Sequence, residues 1–134
     1  MASIEEHKKT AETMLKEINE KIRTGLTDER QKIIGFAESE ASTNMLAILL
    51  HKNNLIQPGF NINHRWFKSE KSANERFNYE FPDKKNLLPL MVKQEDFREK
   101  LCYGNQKPKK IVEDSLKNFF EIKKLIEKNL GEEI

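Results

Sequence analysis

Two residues near the end of the chain have the types and the spacing for chemistry on a phosphate. They are Arg98 and Tyr103, in the stretch Phe97-Arg98-Glu99-Lys100-Leu101-Cys102-Tyr103-Gly104. Five positions separate them, about one and a half turns of α-helix. Arginine stays charged and can hold a phosphate through a two-pronged fork. A tyrosine hydroxyl, with an ordinary pKa of about 10, is a poor base near neutrality. It can still donate a hydrogen bond, or act as an acid where cations lower its pKa. The plainer uses are structural: Arg98 in an ion pair with Glu95, Glu38 or Glu40, and Tyr103 as a packed aromatic at a helix end.

A second group of candidates is ligand-binding. Glu38, Ser39, Glu40, Ser42, Thr43 and Asn44 crowd polar and small groups beside an apolar stripe. That pattern is either a solvated face or one wall of a polar cleft, with Glu40 and Asn44 as its binding groups. Asn44 is followed by Met45 and Leu46, and an amide buried there needs hydrogen-bond partners. His64 and Arg65 form the third candidate pair. A histidine titrates near neutrality and can move a proton. Phe60, Trp66, Phe67, Phe77, Tyr79 and Phe81 surround that pair, with Lys68 and Arg76 interleaved. Aromatics among cations are either a satellite core or a base-stacking platform.

Other chemistries lack their residues. His7, His51 and His64 are far apart in sequence, with no partners at ligand spacing, so no metal site is expected. Cys102 sits among apolar helix-end residues and reads as a small core group. There is no glycine-rich phosphate loop and no H-E-x-x-H pattern. No cofactor is expected.

The elements that must position these residues are helices. Helix one is predicted over Ile4–Arg23, capped by Ser3 with Glu6 completing a capping box. Its apolar stripe is Ile4, Ala11, Leu15, Ile18 and Ile22, and Gly25 stops it. Helix two should begin after Thr27 and reach about Asn53, burying Ile33, Ile34, Ala37, Ala41, Met45, Ile48 and Leu49. Gly35 lets a neighbouring helix come close. Residues 57–82 form a crossover, with a short helix over His64–Phe77 capped by Asn63. Helix four should run from Asp83 or Asn86 to Tyr103. Pro89 falls in its first turn if Asn86 is the cap, and Gly104 follows as a stop. Helix five opens with Pro108 as its first residue and closes at Gly131. Its inner stripe is Val112, Leu116, Phe119, Ile126 and Leu130. The sum is an all-α fold, an up-down antiparallel four-helix bundle with a short extra helix in the crossover.

Composition agrees with that architecture. The 134 residues fit one domain, 1–134. With 37% hydrophobic and 34% charged residues, wide solvated faces are needed, which suits helices better than sheets. A net charge of +2 does not by itself announce nucleic acid, although the basic excess gathers in residues 83–130, with Arg98. A single cysteine points to a reducing compartment. With no leader and no run of about 20 apolar residues, a cytoplasmic setting and no membrane are expected.

The segment from Leu87 to Leu130 resembles the C-terminal half of the HEPN family, small helical proteins that bind nucleotides or RNA. In that family the fourth helix ends in an Arg, then Asn, a few residues and a His, often followed by Gly. Arg98, Leu101 and Gly104 match that pattern, and helices one and two match in length and order. Glu99 stands in place of the Asn, and Tyr103 in place of the His. The resemblance implies a homodimer whose cleft, lined by Asn44, Arg98 and Tyr103, holds a nucleotide or RNA phosphate. It further implies a role beside a nucleotidyltransferase, as in toxin–antitoxin pairs. Two alternatives stand next to this: an active metal-independent endoribonuclease, and a non-enzymatic interaction module. The tyrosine carries phosphate binding over better than catalysis, because tyrosine is the weaker base.

Overall fold

The computed structural model describes residues 3–134, and they form an all-α bundle. Five α-helices follow in order: α1 (Ile4–Arg23), α2 (Gln31–Lys52), α3 (Glu70–Arg76), α4 (Lys84–Cys102) and α5 (Lys109–Leu130). One turn of 3-10 helix lies at His64–Phe67. Among the described residues there is no strand.

Local chemistry sets the boundaries. The Ser3 hydroxyl accepts from the Glu6 N–H at 3.2 Å, which caps α1. Helix α2 starts at Gln31, a turn later than expected, because residues 27–30 form a turn closed by the Arg30 N–H on the Leu26 carbonyl at 2.9 Å. The single crossover helix is broken in two. Asn63 caps the 3-10 turn through the Arg65 N–H at 2.9 Å, and Ser69 restarts the chain as α3 through the Ser72 N–H at 3.1 Å. Short polar side chains compete with the helix for backbone groups in this way. Asp83, at φ 59, caps α4, so Pro89 lies in the second turn rather than the first. Pro108 is the residue before α5, and Gly131, at φ 74, ends it.

Helix α2 is the hub. It packs against α1, α4 and α5, and α4 packs against α5, whereas α1 meets only α2 among the long helices. The arrangement is therefore a three-helix unit with α1 laid against α2. Sharing explains why all six residues from Met45 to Leu50 are buried. The same helix is long and apolar enough by length and composition to cross a membrane, against expectation. However, 78% of that stretch is buried inside the bundle, as a core helix requires. Ile22 and Ile33, expected inside, are 44% and 40% exposed; both sit within a turn of the α1–α2 connection.

At Gly35 the backbone of α2 comes close to α4. A Cβ there would lie 2.8 Å from the Leu101 Cβ. Two apolar clusters result, a large one around Leu46, Phe67, Met91 and Phe119 and a small one of Ile34, Leu101 and Val112. Between them a buried polar layer crosses the bundle: Glu38 and Ser39 from α2, Gln94, Glu95 and Arg98 from α4, Ser115 and Asn118 from α5. Most of the crossover aromatics serve packing. Phe67 stacks on Phe77 at 5.5 Å, and Trp66, Tyr79 and Phe81 close around Phe77.

Candidate functional site

The polar middle of α2 is not a solvated face. Glu38, Ser39 and Ser42 are buried in the bundle, and Glu40, Thr43 and Asn44 face a groove. That groove, about 700 Å³, runs between α1, α2 and the crossover, and is lined by His7, Thr10, Glu40, Thr43, Asn44 and residues 61–66. Four of the six candidates named from sequence thus share one wall system: Glu40, Asn44, His64 and Arg65.

Each of these side chains is held differently. The Asn44 Nδ2 donates to the Glu40 carbonyl at 2.7 Å, which leaves Oδ1 to accept from the His7 Nδ1 at 2.8 Å. The amide therefore fixes the His7 tautomer with its proton on Nδ1. The His7 Nε2 is buried and without a hydrogen-bond partner. His51, distant in sequence, lies against His7 with ring centroids 5.4 Å apart. Burial, and then the neighbouring His7, hold the His51 pKa below its usual value. The spacing along the chain gave no sign of this pair.

His64 is placed over α4. Its Nδ1 donates to the Glu95 Oε1 at 2.8 Å, leaving Nε2 as the other working nitrogen of the ring. Glu95 is 6% exposed; burial pushes its carboxyl up, while the bond from His64 and the charge of Arg98 pull it down. This is an oriented imidazole with a buried carboxylate behind it, an arrangement suited to proton transfer. Glu95 was named from sequence only as an ion-pair candidate for Arg98. The signal for more was present: it lies three residues before Arg98, on the same helical face. Arg65, next to His64, is exposed, and among the described residues no acidic side chain lies within ion-pair distance of it.

Arg98 lies one layer behind the groove. It is 9% exposed, and its Nη1 donates to the Ser39 Oγ at 3.0 Å and to the Glu40 Oε2 at 3.3 Å. The guanidinium also stands over the Phe36 ring, 5.2 Å from its centroid. Its Nε is buried with no hydrogen-bond partner. Tyr103 is separate from the groove. It follows the last turn of α4 with an extended backbone, is 54% exposed, and its hydroxyl has no hydrogen-bond partner among the described residues. Tyr103 is neither packed nor inside the groove, whereas Arg98 reaches the groove wall through Glu40.

The remaining polar layer is a network centred on Glu38, whose Oε2 is buried without a hydrogen-bond partner. Glu38 Oε1 accepts from the Ser115 hydroxyl and, at 3.2 Å, from the Gln94 amide, and Gln94 in turn accepts from the Asn118 amide at 2.9 Å. Burial pushes the Glu38 carboxyl up to about 8, against the bonds from Ser115 and Gln94. No group of three or more His, Cys, Asp or Glu side chains among the described residues is placed to hold a metal ion. No family model matches the chain, and neither does any curated protein or solved structure compared with it.

Proposed function

We propose that the chain is a HEPN-like protein that binds a nucleotide or RNA phosphate in the groove between α1, α2 and the crossover. One observation carries this reading: Arg65, which has no ion-pair partner among the described residues, the His64–Glu95 pair and the amides of Asn61 and Asn63 converge on one groove. Arg65 supplies charge for phosphate, and Asn61 and Asn63 supply polar edges for a base. Binding of a fluorescein-labelled oligouridylate at low salt tests it. Wild type binds, binding weakens as salt rises, and Arg65→Ala reduces it several-fold. No binding at low salt would falsify the reading.

A second reading, metal-independent endoribonuclease, is favoured by the His64–Glu95 geometry, with His64 taking the place the family gives to a histidine after the Arg. Cleavage of single-stranded RNA in the presence of EDTA, abolished by His64→Ala, supports it; intact RNA across a panel of sequences removes it. The homodimer and the nucleotidyltransferase partner belong to the same proposal. The exposed Ile33 and Phe36, three residues apart on α2, are the apolar surface that supports a second copy, and sedimentation at micromolar concentration is the check.

A further inference from the structure

Arg98 carries an unusual combination. It is a buried, permanently charged guanidinium whose partners use only part of it. The Nη1 has two acceptors, one a neutral hydroxyl, and the other a carboxylate at the long distance of 3.3 Å. The Nε is buried and unpartnered. An ion held this way retains a large unmet demand for an anion, because desolvation of a buried charge is only partly offset by a single off-centre pair. Its partner is much freer. The Glu40 side chain is 32% exposed against 10% for Arg98, and it lines the groove that Arg98 does not. Glu40 can therefore leave for water at small cost, whereas Arg98 cannot. Two other carboxylates stand near on α4 but are differently committed: Glu95 holds His64, and Glu99 is exposed.

We infer that Glu40 is an internal mask on an anion site, and that a ligand phosphate entering the groove takes its place on Arg98. This rests on the phosphate-binding reading above and adds its regulation. In the free protein the Glu40 carboxylate occupies the accessible side of the guanidinium and presents negative charge to the groove, so an incoming anion is both repelled and outcompeted. When Glu40 swings outward, Arg98 gains a phosphate whose two non-bridging oxygens can engage both Nη atoms of a fork-shaped guanidinium. The exchange makes and breaks only hydrogen bonds and ion pairs. Arg65, in the groove lining, sets the approach, and Arg98, behind Glu40, provides the seat.

The test is a double-mutant cycle with labelled oligouridylate as the probe. Glu40→Gln keeps the size of the side chain and removes its charge. It should tighten binding at least about fivefold, the effect of deleting one unit charge at contact distance in a mostly aqueous setting. In an Arg98→Gln background the same substitution should keep only the share of the gain that comes from relieved repulsion, since there is no seat left to unmask. Should Arg98→Gln fail to fold, Arg98→Lys serves: it keeps the charge but not the fork, and should recover only part of the gain. If wild type binds while Glu40→Gln binds no better, or if the gain is undiminished without Arg98, the masking idea is overturned and groove binding stands. If neither wild type nor Glu40→Gln binds, both ideas fall together.

Discussion

At the scale of single residues, the buried carboxyl of Glu38 has the most direct consequence. In the unfolded chain it titrates at an ordinary carboxylate pKa, about 4.3, and in the bundle burial raises it to about 8. Between those values the folded chain holds a proton that the unfolded chain has released, so stability falls as pH rises through that window. The slope of one such group is at most about 1.4 kcal/mol per pH unit. Glu38→Gln supplies the neutral form at every pH. Its unfolding free energy should match wild type near pH 4 and exceed it near pH 8 by a few kcal/mol; equal free energies at both pH values would show that Glu38 is ionised in the fold. Asn44 is the second residue with a clear cost. Asn44→Ala strips the acceptor from the His7 Nδ1, which is buried beside an already unpartnered Nε2. A loss of about 1–3 kcal/mol is expected from urea denaturation.

At the scale of elements, the α2–α4 crossing depends on Gly35. Alanine is the better helix former by about 1 kcal/mol, so propensity alone favours Gly35→Ala. Sterics oppose it: the new Cβ would stand 2.8 Å from the Leu101 Cβ and 3.2 Å from the Cys102 sulfur. A Cβ is fixed to the backbone, so the two helices must part. Overpacking of this kind costs about 1–3 kcal/mol, and the net effect should be a lowered thermal midpoint. A rise would mean that α4 yields more easily than its packing implies. The caps are smaller levers. Ser69→Ala removes the bond to the Ser72 N–H and should cost about 1 kcal/mol, read most sensitively as faster amide exchange in α3.

At the scale of the whole molecule, helix α1 is held on one side only, by α2. It has one long-helix neighbour, whereas α2 has three. Opening free energies follow the surface an element buries. Amides of α1 should therefore exchange faster than those of α2 under native conditions, in a step that leaves the α2, α4 and α5 unit intact. Uniform protection across the four long helices would indicate a single cooperative block instead. Because His7 and Thr10 line the groove, any α1 opening also opens the candidate site, and a bound ligand should slow that exchange.

The sequence by itself determined the helices. Stripes at three- and four-residue spacing, Ser3 before Glu6, and Gly131 after Leu130 are local signals. The forces behind them act within a turn or two of the chain, so they are written where they act. The class of fold follows from them, and so does a close helix approach at Gly35, though not that the partner is α4. Tertiary structure decided the rest. Which face of α2 is covered depends on three neighbours at once, and that sharing turned its polar middle into a buried layer on one side and a groove wall on the other. It also set His64 against Glu95, 31 positions away, and Arg98 against Glu40, 58 positions away, and left Tyr103 outside the groove. Spacing in a sequence predicts which residues share a helical face. It carries no information on what the opposing face will be, because that is fixed by the packing of all the helices together.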